Sequence, residues 1–251
     1  MYNFMELYEI VENMAKGLIE VDQTTTIQNG ANPETSDYGN YLQGVGCLGE
    51  HQFRDELADW WNESFPKYKF LREIKYPENG RWKCDIGLTS VIDESGLRMD
   101  EHLDWAIELK YIRFIGDNGK VNNFGLGKVV SPYKAEHSSV GDAIRLAPSK
   151  MGKRKAVVMY GFEFDEFSVS NCKEILETMG LPDERANQME KAIRAGTHNG
   201  EWDLELIAPI YKAACESMGI KIGDLIMTDF SNLSRHPNYR IGKFLAWEVL
   251  P

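Results

Sequence analysis

A chain of 251 residues, 43% hydrophobic and 27% charged, can bury a sizeable core, and it holds no run near the ~18 apolar residues of a membrane span. Its four cysteines (Cys47, Cys84, Cys172, Cys215) form no CxxC pair and have no His at zinc-finger spacing, which excludes a disulfide framework or structural zinc site and predicts reduced, mostly buried thiols. The N-terminal segment is acidic and amphipathic, unlike a signal peptide, so a cytoplasmic protein is expected.

Residues 2–21 place Phe4, Leu7, Tyr8, Val11, Met14 and Leu18 at helical spacing among acids, which predicts an amphipathic helix. Residues 22–49 are polar and turn-rich and read as a long loop. A second helix is expected from about Glu50 to Glu63, with Phe53, Leu57, Trp60 and Trp61 inward. Three strands follow, from Tyr68 to Tyr76, Trp82 to Val91 and Trp105 to Phe114, the first two joined by a turn at Pro77–Gly80. After a Gly-containing loop over 116–136 come a helix from Ser138 to Leu146, a basic turn from Ser149 to Arg154 and a strand from Lys155 to Phe162. Helices over 171–180, 183–195 and 203–218 and a last strand from Phe244 to Leu250 complete the chain. The order predicts an α/β layered core with a central mixed sheet flanked by helices and extra C-terminal helices. Its divisions are an N-terminal helix and loop (1–47), a core (48–165) and a C-terminal helical extension packed on it (166–251).

A net charge of −11 argues against a polyanionic partner until its distribution is considered. Between Lys110 and Lys155 ten Lys or Arg face three acids, while the rest of the chain carries 18 basic and 36 acidic residues. One basic band on an acidic body is a plausible footprint for DNA, with Lys134, Arg145, Lys150, Lys153 and Arg154 as candidate phosphate contacts. Tyr111, Phe114, Phe124 and Tyr133 interleave with the band and could stack on bases or pack in the core.

Phosphodiester hydrolysis needs charge neutralisation at the scissile phosphate, an aligned water and a stabilised leaving oxygen. Glu108 and Lys110, two apart on a strand, emerge on one side, while Asp85 sits in an otherwise apolar run of the preceding strand. An antiparallel hairpin would bring Asp85 opposite Glu108, so that two carboxylates could share a metal. A second acid-x-Lys triplet, Glu73-Ile74-Lys75, has only helical acids, Asp55 and Asp59, before it, and is expected to form a solvated strand face or to lie at the periphery of a nuclease site.

With Asp85 in WKCDIGL and Glu108-Leu109-Lys110 in WAIELKY, the sequence resembles the PD-(D/E)xK nuclease superfamily, which includes many restriction endonucleases and DNA-repair nucleases. The element order matches as well, over roughly residues 48–165. Cys84 stands where the family has Pro before the Asp. The resemblance implies a restriction-endonuclease-like core and Mg²⁺, with Mn²⁺ as a substitute, held by Asp85, Glu108 and the Leu109 carbonyl. It also implies that Lys110 positions or activates water and that an acid on the first core helix completes the site. Glu50 is the candidate, with Glu56 behind it.

The expected activity is therefore metal-dependent cleavage of DNA by a restriction-like endonuclease, as a homodimer if both strands are cut. A repair or recombination nuclease of the same fold and a non-enzymatic binding or immunity-type protein are the competing readings. His51, His102, His137, His198 and His236 show no ligand spacing, and Asp142 and Arg145, three apart, are expected to form a local ion pair.

Overall fold

The structure is a computed structural model that describes residues 5–25, 44–90, 100, 102–115, 127, 129–131, 138–178, 183–200 and 202–251 apart from 237. Lys120, Phe124, Lys128, Tyr133, Lys134 and His137, and most of the two loops expected at 22–49 and 116–136, lie outside the described residues.

Helix α1 (Leu7–Thr24) buries Leu7, Ile10, Val11, Met14, Leu18 and Val21 along one stripe. Tyr8, one step of about 100° around the helix from Leu7, falls outside that stripe and is 52% exposed. Helix α2 (Glu50–Ser64) packs across α1 at Gly17, where an added Cβ would stand 2.5 Å from Leu57 Cδ1 and 2.6 Å from Trp60 Cε3. The glycine is required by close approach of the two helices. The Trp61 indole donates to the Tyr68 carbonyl (2.9 Å), and the Asn62 amide brackets the Phe70 backbone at both N–H and C=O, which seats α2 against the first strand.

Strands β1 (Lys69–Lys75), β2 (Lys83–Thr89) and β3 (Trp105–Ile112), helix α3 (Ser139–Leu146) and strand β4 (Arg154–Glu163) follow in the expected order. Ser138 Oγ caps α3 by accepting from the Gly141 N–H at 3.1 Å. Helices α4 (Glu166–Thr178), α5 (Asp183–His198) and α6 (Ile207–Ser217) precede two further strands, β5 (Ile226–Phe230) and β6 (Ile241–Glu248). Among the described residues the protein is an α/β fold with one six-stranded mixed sheet, order β1-β2-β3-β4-β6-β5, and six α-helices. Only β3 and β4 run parallel. β5 is not foreseen by the sequence, because it is a five-residue, partly exposed edge strand whose residues, IMTDF, do not alternate apolar with polar. No helix among the described residues is long and apolar enough to cross a membrane.

The C-terminal segment adds strands to the sheet as well as helices: β6 pairs with β4 over eight residue pairs. Arg154 fastens this junction. Its guanidinium grips Glu248 on β6 at 2.7 and 2.5 Å, reaches Glu6 before α1 at 2.6 Å, and lies 4.2 Å over the Trp105 ring. Arg154→Ala should lower the free energy of unfolding by about 1–3 kcal/mol, measured by urea titration, because charge-assisted hydrogen bonds and a stacked ring are lost together. A change below a few tenths would show that the junction does not depend on this residue.

Candidate active site

The β2–β3 ladder holds only three registered pairs, Ile86↔Ile107, Gly87↔Ala106 and Leu88↔Trp105, whereas β3 and β4 stay paired over all eight residues of β3. Beyond Ile86 and Ile107 the two strands part, and Asp85 and Glu108 are the next residues on either side of the fork. Among the described residues β3 has no strand partner in the fork for its outward backbone groups, and carboxylates take that place. Asp85 Oδ2 accepts from the Leu109 N–H at 3.0 Å, Glu50 Oε2 accepts from the Tyr111 N–H at 2.7 Å, and Glu108 Oε2 accepts from the Asp85 N–H at 3.3 Å. Because N–H and C=O of one strand residue point to the same neighbour, the Leu109 carbonyl is also turned toward β2.

The structure therefore brings Asp85, Glu108, Lys110, Leu109 and Glu50 together. β3 is buried throughout except at half-buried Lys110, and Glu108 lies at 3% exposure. The Tyr76 hydroxyl donates to Glu108 Oε1 at 2.6 Å, and the Asp85 carboxyl is within hydrogen-bonding reach of the same group. Burial, reinforced by Asp142 and Asp85, holds the Glu108 carboxyl well above the usual carboxylate range. Burial also raises Asp142. Lys110 Nζ stands 3.5 Å from Glu50 Oε1 and 3.4 Å from Asp142 Oδ2. Burial disfavours its charge, but Asp142, then Glu50, Asp85 and Glu108, outweigh that and raise its pKa, so Lys110 is an ammonium throughout the working range.

Several members of the site were not assigned to it from sequence. Asp142 and Arg145 form the expected i, i+3 ion pair on α3, yet the pair also reaches across to β3: Asp142 to Lys110, and Arg145 to Glu108 at 3.8 Å. Arg54 on α2, buried at 4%, lies 3.4 Å from Asp85 Oδ1 and 3.5 Å from Glu73 Oε1 and bonds Asp55 at 2.9 Å. Glu73 is exposed on its strand as expected, and it is also one guanidinium away from Asp85. It adopts a positive φ of 53° in mid-strand, a left-handed conformation that costs a non-glycine residue of order 1–3 kcal/mol. Tyr76 carried no sequence signal, since a tyrosine at a strand end ordinarily reads as core. For Asp142 and Arg54 a pattern existed, in that both are ionisable residues on the inward stripe of an amphipathic helix.

Most of the described members of the basic band have partners within the molecule. Arg145 turns into the site, Arg154 is held by Glu6 and Glu248, Lys153 pairs with buried Asp104 at 2.7 Å, Lys155 donates to the Ala147 carbonyl, and Arg113 donates to the Gly46 carbonyl. Lys150 has its backbone N–H on Glu78 and its side chain exposed. Tyr111 and Phe114 are buried. Glu56 is half-buried on α2 and is not among the groups bonded to the site.

No group of three or more His, Cys, Asp or Glu side chains among the described residues is arranged to hold a metal ion. Mg²⁺, however, is usually bound through one or two carboxylates with waters completing the shell. A carboxyl pair, Glu108 buried and Asp85 half-buried, with an adjoining inward-turned carbonyl fits that demand. No family model matches the chain, and neither any curated protein nor any solved structure matches it.

The raised Glu108 pKa makes a prediction with a definite sign. A carboxyl raised in the folded state contributes stability below the unfolded value of about 4.3, and that contribution is lost as pH rises through the folded pKa. Glu108→Gln keeps a hydrogen-bonding side chain that cannot ionise. In EDTA its stability relative to wild type should therefore increase from pH 5 to pH 8, read from urea midpoints at each pH. A difference that stays flat across that range would mean Glu108 is already ionised at pH 5.

Proposed function

We propose that the protein is a Mg²⁺-dependent nuclease with a restriction-endonuclease-like core that hydrolyses DNA phosphodiester bonds at the β2–β3 fork. The observation that carries this reading is the convergence there of Asp85, Glu108 and Lys110 with the Leu109 carbonyl and Glu50. Two carboxylates from different strands and a permanently charged lysine meet where the Leu109 carbonyl is turned toward β2.

Asp85, Glu108 and the Leu109 carbonyl would hold the cation, which when bound neutralises phosphate charge and acidifies water. Tyr76 and Arg145 hold Glu108 from two sides and so limit its rotamers. Glu50 and Asp142 hold Lys110 so that its ammonium faces the carboxylate pair, where it orients the attacking water and offsets charge that develops on the phosphorus oxygens. Mn²⁺, with the same preference for oxygen ligands, is expected to substitute.

The test is cleavage of supercoiled plasmid in Mg²⁺, with EDTA as control. Asp85→Asn should abolish cutting and the rise in melting temperature that Mg²⁺ gives the wild type by mass action. Lys110 sits against buried acids, so its removal alone would leave those charges uncompensated. Lys110→Met is therefore combined with Asp142→Asn, which keeps the charge balance. That variant should bind DNA in Ca²⁺ within about threefold of wild type and cut ~10²–10³ more slowly in single-turnover Mg²⁺ reactions. Wild-type cutting by Asp85→Asn, or parallel losses of binding and cleavage in the double variant, would overturn the assigned roles.

A further inference from the structure

We propose that the β1–β2 hairpin tip, residues 75–83, is a docking platform for an unpaired nucleotide, with Trp82 stacking on its base and Lys75 and Arg81 on the neighbouring phosphates. This rests on the nuclease reading and specifies its substrate class as DNA with a single-stranded, frayed or flipped base.

Trp82 is the exposed one of the six tryptophans, at 41%; Trp61, Trp105 and Trp247 are fully buried and Trp60 and Trp202 pack against the core. It is also held firmly. Its ring stands edge-on to Tyr76, with centroids 6.3 Å apart at 89°, and Tyr76 in turn donates to Glu108. One aromatic ring thus separates the exposed indole from the carboxylate of the site. The turn is closed by Tyr76 N–H to the Trp82 carbonyl at 3.1 Å, Trp82 N–H to the Asn79 carbonyl at 2.9 Å and Arg81 N–H to Asn79 Oδ1 at 3.1 Å. Glu78 ties the tip to the loop after α3 through Ser149 Oγ at 2.9 Å and the Lys150 N–H at 2.7 Å. An aromatic fixed in this way loses little freedom when a partner stacks on it.

Charge selects the partner. Lys75, Arg81 and Lys83 are exposed on the tip, and Lys150 is brought beside it. The one acid of the tip, Glu78, already accepts from Ser149 and Lys150, and Lys83 is paired with Glu73 at 2.5 Å. Lys75 and Lys83 are cross-strand partners two residues out from Glu73 and Asp85 on their strands, so the basic side chains lead from the tip into the fork. Exposed aromatic face with flanking cations is the arrangement that binds single strands, because every base has a π-face and each phosphate a charge. Paired bases in a duplex interior keep their faces covered by their neighbours, so stacking on Trp82 requires an unpaired base.

The experiment measures binding of a labelled 15-nucleotide single strand in Ca²⁺, in parallel with an otherwise identical strand that is abasic throughout, by wild type, Trp82→Ala and Trp82→Phe. Trp82→Ala should weaken binding of the normal strand by about 5- to 150-fold, the loss of one stacked base, while Trp82→Phe stays within about threefold. All three proteins should bind the abasic strand alike. The platform is overturned if wild type does not bind the normal strand, if Trp82→Ala binds it as wild type does, or if the Ala loss persists on the abasic strand. Mg²⁺ reactions of the wild type separate the two readings. Cleavage with no Trp82 effect keeps the nuclease and removes the platform, whereas Trp82-dependent binding without any cleavage keeps the platform and removes the nuclease.

Discussion

The early opening of the β2–β3 ladder is the constraint on which the site depends. A central strand must find partners for every backbone N–H and C=O, and an unsatisfied buried group costs ~1–3 kcal/mol. β4 meets this demand on one edge of β3 along its whole length, but β2 meets it on the other only as far as Ile107. From Leu109 onward the donors belong to carboxylates, Asp85 and then Glu50. Asp85, which would bind a cation, and Glu50, which holds Lys110, are therefore also groups that complete the sheet. Their positions are set by backbone hydrogen bonding rather than by flexible side-chain choice, which is the kind of rigidity a catalytic constellation needs.

Charge in the fork is balanced only by crowding. Glu50, Asp85, Glu108 and Asp142 face Lys110, Arg145 and Arg54 within a region contributed by α2, β2, β3 and α3. Buried ion pairs of this kind contribute little net stability, since desolvation offsets most of the Coulomb attraction, and apolar side chains of similar volume would serve the core as well. Their presence at the centre of the sheet supports the proposal that the cluster serves chemistry. The shifts agree in sign with that account: burial drives Glu108 and Asp142 toward the neutral form, while the surrounding acids keep Lys110 charged.

The hairpin extends this logic outward. Glu73 takes a strained backbone conformation between the registered pairs Arg72↔Ile86 and Ile74↔Cys84, and its carboxylate meets both Arg54 and Lys83. Tyr76, three residues on, touches Glu108, and Trp82 rests on Tyr76. Strain, buried polar contact and exposed aromatic surface thus follow one another along a single turn. The segment links the fork to solvent through rigid groups.

The local elements were legible in the sequence because period and capping are local properties. Helical spacing marked α1, α2 and α3, and alternating or apolar runs marked β1 to β4 and β6 to within a few residues. Asp85, Glu108 and Lys110 stood out because ionisable groups in apolar strands demand an explanation, and their facing positions follow from strand geometry. The parts that were not legible depend on distance through space. That Arg154, Lys153 and Arg113 would be held within the molecule, that Asp142 and Arg145 would extend their local pair to Lys110 and Glu108, and that Glu73 would neighbour Asp85 all required the helices to be docked on the sheet. A sequence records which residues carry charge, but tertiary packing decides which charges meet, because Coulomb and hydrogen-bond energies fall off over a few ångströms while the partners lie tens of residues apart.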